Sequence, residues 1–290
     1  MTMPTTPGLS PSRAGDFAQC PLLYRLRAID RIPEPPQRAT TLGTLVHAVL
    51  ERLFDLPAIQ RTRESTTALV RPEWDRLVAA NPAVAELVAD SADAAQFFSD
   101  ASARLGMYFS LENPERLEPA GRELRLESVL DAGPAVRGVV DRMDVSADGA
   151  IRIIDYKSGA TPRAGYGQQA EFQMRFYALL VERTQGHRPS IMRLLYLRDG
   201  GVKELAPTDA DIAAVEAQIR DTWAAIQRSA ADGDFPARPS RLCSWCSFQS
   251  ACPEFGGTLP ALDADAVERV TGMRPIAGGA VTATEESGPT

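Results

Sequence analysis

The sequence predicts an α/β fold in which a mixed central sheet is flanked by helices. Three stretches carry this. GRELRLESVL (121–130) alternates like a half-buried strand, VVDRMDVSADGAIRIIDYKSG (139–159) reads as two strands about a tight turn, and IMRLLYLRDGGVKEL (191–205) reads as a second hairpin. Segments before, between and after them carry apolar residues at helical spacing.

In chain order, LSPSRAGDFAQC is a helix start, with Ser10 as cap, Pro11 at the first helical position and a stop near Cys20-Pro21. PLLYRLRAIDRIPEPP then passes through an amphipathic segment into a proline-rich link. TTLGTLVHAVLERLFDL places Leu42, Leu45, Val46, Val49, Leu50 and Leu53 on one helix face, with His47 beside that stripe. Residues 58–120 have helical spacing and no chemical motif, and are expected to form two or three helices as an insert or lid. Residues 168–183 return to helical spacing with Phe172, Phe176, Leu179 and Leu180 inward, and DIAAVEAQIRDTWAAIQR is a helix of good formers. From Gly257 to Thr290 no strong apolar period remains, so a loose tail is expected after a single domain of residues 1–256.

Register in the central hairpin follows from burial, because a slip of one residue moves every side chain to the opposite face. A three-residue loop, Ala147-Asp148-Gly149 with Gly149 left-handed, pairs Val145 with Ile151, Met143 with Ile153 and Asp141 with Asp155. Asp144 then meets Arg152 on the other face. Two carboxylates side by side at a core edge repel unless a proton or a cation intervenes. A divalent cation answers this well, since Lys157 shares their face one step further out. A solvated strand end with a chance acid pair is the plainer alternative.

At 290 residues the chain can bury a sizeable core. It has no run of about 18 apolar residues, and MTMPTTPGLSPSR lacks the apolar core of a secretory signal. A cytoplasmic protein without a membrane partner is the expectation. A formal charge of −7 means that a nucleic-acid partner would have to be held by a local basic groove or by bound cations. Four cysteines do not make a disulfide scaffold in a chain this long.

His47 in GTLVHAVLERL, then GVVDRMD, IIDYKSG and QMRFY, with Cys20 early and CSWCSFQSAC late, together resemble the RecB-like branch of the PD-(D/E)XK nucleases. That branch includes iron–sulfur nuclease domains of double-strand-break repair enzymes and CRISPR adaptation nucleases. The likeness spans residues 9 to 255 and implies a restriction-endonuclease-like fold with an iron–sulfur clasp joining the two ends. It implies that His47, Asp141, Asp155 and the Tyr156 carbonyl hold Mg²⁺ or Mn²⁺, and that Lys157 is catalytic. Gln173 and Tyr177 would touch substrate or a metal-bound water at the rim of the site, on the helix face away from Phe172 and Phe176. Arg142 and Arg175 are candidate phosphate contacts, or partners of an acid, and Glu123 is a further acid that could lie near the metal.

Cys243-x₂-Cys246-x₅-Cys252 lacks one ligand, which Cys20 can supply. The likeness implies a [4Fe–4S] cluster there, while structural Zn²⁺ fits the same ligands. Ser158-Gly159 stands where the family often has Thr-Gly. The expected function is metal-dependent hydrolysis of DNA, from ends or on single strands, in repair or recombination. No G-x-x-x-x-G-K-[ST] loop occurs, so unwinding would fall to a separate helicase. The alternatives are a non-catalytic iron–sulfur module that docks a helicase on DNA, and a zinc-clasped regulatory protein.

Overall fold

A run of helices, a block of three strands and a mixed C-terminal half make up the chain in a computed structural model that describes residues 6–131, 133–163 and 165–275. In order these are β1 (Gly8–Leu9), α1 (Pro11–Gln19), α2 (Pro21–Tyr24), a π-helical turn at Arg25–Ile29, α3 (Arg38–Leu53), α4 (Arg63–Ala80), α5 (Ser91–Leu111), β2 (Gly121–Val129), β3 (Ala135–Val145), β4 (Ile151–Lys157), α6 (Gln168–Gln185), β5 (Ile191–Tyr196), β6 (Val202–Leu205), α7 (Asp209–Asp232) and α8 (Ala264–Thr271).

The residues divide into two compact units where one domain was expected. The first comprises Met1–Pro33, Leu130–Ala135 and Ile219–Thr290, and the second Glu34–Val129 and Val136–Gln218. Separate apolar cores account for the division. One gathers Leu22, Leu23, Leu26 and Phe248, while the other is built on α3, α4, α5 and the sheet.

In the first unit, Ser10 accepts from the Arg13 N–H at 3.3 Å and Pro11 opens α1, as the cap signal predicts. The helix stops at Cys20, and α2 starts on Pro21. Asp263 caps α8, which ends at the left-handed Gly272 and buries Ala266, Val267, Val270 and Thr271. A helix therefore occupies part of the expected loose tail. Its two turns are too short for their apolar period to stand out in the sequence. Residues 276–290 of that tail lie outside the described residues.

The sheet of the second unit is mixed. β3 and β4 are antiparallel, β4 and β5 parallel, β5 and β6 antiparallel, and β2 pairs with β3. The β3–β4 register runs from Val145 opposite Ile151, through Met143 opposite Ile153, to Arg142 opposite Ile154, as the sequence predicts. Gly149 has φ 85°, and the Ser146 N–H donates to Ala150 O, which closes the three-residue loop. Asp144 holds Arg152 at 2.8 Å across the strands.

Both faces of β4 are covered, a point the alternating pattern did not disclose. Ile154 and Tyr156 join the core formed with α3, α4 and α5, and Lys157 reaches toward α6. The 58–120 segment is consequently a wall of this core and not a lid. Trp74, Phe97, Ala101, Leu105 and Tyr108 are buried in it, and each large apolar side chain removed from water contributes about 1.5–3 kcal/mol. The predicted stripe of α3 faces the same core. On α6, Tyr177 is buried together with Phe176, Leu179 and Leu180, whereas Phe172 is only half-buried, so the expected separation of two faces fails in the middle of the helix.

Candidate metal centre and active site

The site lies where β2, β3 and β4 approach α3. Asp141 stands one residue beyond the last β3–β4 pair, and its Oδ2 accepts the Tyr156 N–H at 2.7 Å. His47 presents Nδ1 to the same oxygen at 3.4 Å, held by the inward stripe of α3 and by edge-on packing against the Tyr156 ring. Glu123 completes a set with His47 and Asp141 whose donor atoms all lie within 4.8 Å of one another. An imidazole and two carboxylates are a donor set that suits Mn²⁺ and Mg²⁺. Glu123 has φ 43°, uncommon for a residue with a side chain, and such strain concentrates where a side chain must be aimed.

Asp155 and Lys157 form the adjoining half. Asp155 is buried, and its Oδ2 lies 2.6 Å from Lys157 Nζ. Lys157 also donates to Gln173 Oε1 at 2.6 Å, and Gln173 Nε2 donates to the Tyr177 hydroxyl at 3.0 Å. Gln173 and Tyr177 thus brace the lysine from α6. Tyr156 enters this geometry through its N–H, while its side chain points to the opposite core. The turn after Lys157 is held by Arg104 of α5, which donates to Ser158 O at 3.1 Å.

The charges perturb one another. Burial disfavours a charged His47, but the hydrogen bond and charge of Asp141, helped by Asp155 and Glu123, outweigh it and hold the imidazole up at about 9. Burial, then repulsion by Asp141, pushes Asp155 up to about 6, with Lys157 pulling the other way. Glu123 is raised as well, by burial first and then by Asp141.

A pH dependence of the metal-free protein follows. The folded state holds the His47 proton more tightly than the unfolded chain does. That stabilisation is complete below about 6.5 and is lost as pH rises through about 9. Thermal unfolding in chelator should show stability falling across this window. Added Mn²⁺ should restore it most at the alkaline end, where no proton competes for the imidazole.

Two arginines fall outside the site. Arg142 is buried among Glu112, Asp144, Tyr108 and Tyr156, so it has no guanidinium edge left for a phosphate. Arg175 pairs with Asp211 at 3.0 Å. Alternation places Arg142 on the face opposite Asp141, which decides its role. Gly138 went unremarked in the sequence, although a glycine within a strand signals close approach. A Cβ there would stand 2.6 Å from Tyr177 Cε1. Gly138→Ala should displace Tyr177 and, through Gln173, the lysine. A loss of roughly 10-fold in cleavage rate is expected with little change in KM, measured by steady-state kinetics.

In the first unit, Cys20, Cys243, Cys246 and Cys252 line one largely apolar cavity as free thiols. The Arg238 N–H donates to Cys20 Sγ at 3.3 Å and the Ser240 N–H to Cys243 Sγ at 3.2 Å. Burial raises the Cys252 thiol.

Strands β2, β3 and β4 and helix α3 thus bring an imidazole, several carboxylates and a lysine together, a set that suits metal-assisted phosphodiester hydrolysis. The model of the PD-(D/E)XK nuclease superfamily matches residues 8–253, and the chain belongs to that superfamily. This family implies a metal-dependent nuclease acting on DNA. The chain is also similar to the Gene 69 protein of Mycobacterium phage D29, with 25% identity covering 88% of this chain and 100% of that protein. Among solved structures, one described as the crystal structure of SSO0001 aligns with a TM-score of 0.34 and 19% identity, over 63% of this chain and 81% of that one. No helix among the described residues is long and apolar enough to cross a membrane.

Proposed function

We propose that this protein is a metal-dependent DNA exonuclease of repair or recombination, acting on single strands or DNA ends, with a separate helicase supplying strands. The convergence of His47, Glu123 and Asp141 beside the Asp155–Lys157 pair carries this reading. His47, Asp141, Glu123 and Asp155, with the Tyr156 carbonyl, would hold Mg²⁺ or Mn²⁺. Such an ion, when bound, acidifies a water and polarises the scissile phosphate. Lys157, fixed between Asp155 and Gln173, donates its remaining N–H toward charge developing on the phosphate oxygens. Asp155 keeps that ammonium charged and aimed, and Tyr177 fixes the rotamer of Gln173.

A second group is proposed in the first unit: a [4Fe–4S] cluster on Cys20, Cys243, Cys246 and Cys252. Four free thiols around one cavity are the donor set that supports it, and structural zinc on the same four ligands is the rival reading. Anaerobic protein is expected to contain iron and acid-labile sulfide, and Cys246→Ser to lose both; stoichiometric zinc without iron would refute the cluster.

The function itself is tested with 5′- and 3′-labelled DNA, as single strand, blunt duplex and closed circle, in Mn²⁺. Stepwise shortening of linear substrates with intact circles is expected. Circles cut as fast as linear DNA would make the enzyme an endonuclease.

A further inference from the structure

We infer that Arg125 is a positioning residue for substrate, gripping the phosphate next to the one being cut; this rests on the nuclease reading of the site. Arg125 lines the same groove as His47, Glu123 and Asp141, a space of about 920 Å³. It lies two residues after Glu123 on β2, and both side chains line the groove. A phosphodiester whose phosphorus sits at the donor set therefore brings a flanking phosphate within reach of a long side chain two positions along.

The charges of the groove single out this residue. Glu51, Glu123 and Asp141 make its inner end acidic. Arg122, the other arginine of the lining, is tied to Glu51 O and to Asp55. Arg125 is exposed, and among the described residues its guanidinium has neither an ion pair nor a hydrogen-bond partner. Five N–H donors in a planar fork are thus left for an anion. The α3 wall of the groove includes the small residues Ala39, Thr40, Gly43, Thr44 and Ala48, which leave room for a strand. A strand can run between that wall and β2 from the donor set to Arg125. An acidic protein otherwise repels its polyanionic substrate, so one free cation beside the donor set has a large share in holding it.

The test compares wild type, Arg125→Ala, Arg125→Lys and Arg71→Ala on a labelled single strand in Mn²⁺. Arg71→Ala removes the same charge from α4. Binding of a fluorescent oligonucleotide in Ca²⁺ forms a second arm. Arg125→Ala should raise KM about 10-fold and move kcat much less. It should also flatten the dependence of log(kcat/KM) on log salt by about one unit. Lysine should recover part of the loss, Arg71→Ala should match wild type, and thermal unfolding should not change. Unaltered KM and salt slope in Arg125→Ala would overturn the inference while leaving the nuclease reading intact. If wild type fails to cleave in any metal, the nuclease reading falls. The Ca²⁺ arm then still decides on Arg125, because wild type binding no better than Arg125→Ala overturns its role.

Discussion

Lys157→Ala is expected to lower the rate of DNA cleavage by at least about 100-fold while leaving the fold intact. The magnitude follows from removing a fixed donor aimed at developing charge, which costs 10²- to 10³-fold where it has been measured in other enzymes. Lys157 is partly exposed and makes its contacts with Asp155 and Gln173 only at the site, so the unfolding midpoint should move little. Asp155 would lose the partner that restrains its upward shift, and any residual activity should move to higher pH. The decisive measurements are single-turnover kinetics in Mn²⁺ and the pH profile of the variant. Activity within a few fold of wild type would remove Lys157 from the mechanism.

Arg142→Met should cost about 3–5 kcal/mol of stability, the range for breaking a buried ion pair from one side. Arg142 is 1% exposed. Its nitrogens meet both oxygens of Glu112 at 2.7 and 2.9 Å and both of Asp144 at 3.0 and 3.1 Å, together with the hydroxyls of Tyr108 and Tyr156. Methionine fills part of the volume but leaves the buried Glu112 carboxylate with only Arg193, 3.8 Å away, as a counter-charge. Adding Glu112→Leu removes that charge and should recover most of the loss, since a buried pair replaced on both sides is often neutral. Urea unfolding of the single and double variants checks this. A single variant within about 1 kcal/mol of wild type would mean that Glu112 finds water or another partner.

The sheet was legible because its register is forced. Val145, Met143, Ile151 and Ile153 fill one face only when Gly149 closes a three-residue loop, and Asp141 then necessarily reaches the end of β4. The stripe of α3 set His47 beside the buried face, and its place among candidate metal ligands came from the resemblance. Other features depend on contacts that no spacing encodes. Glu123 enters the donor set through an unusual backbone angle, and Gly138 matters only because Tyr177 packs over it. For Arg142 the sequence left a phosphate contact and an acid partner both open, and tertiary packing decides for the acid by burying it with Glu112, which lies 30 residues away in the sequence. The division into two units was hidden because the first is assembled from both ends of the chain, and α8 because two turns carry little periodic signal.

The central claim is that His47, Asp141 and their neighbouring carboxylates share one divalent ion. Anomalous diffraction from crystals soaked in Mn²⁺ tests it most directly. One peak is expected within coordination distance, about 2.0–2.3 Å, of a His47 ring nitrogen and of carboxylate oxygens from Asp141 and Glu123 or Asp155, and it should vanish in Asp141→Asn. A fully soaked crystal with no peak there, or with the ion bound elsewhere, would contradict the account.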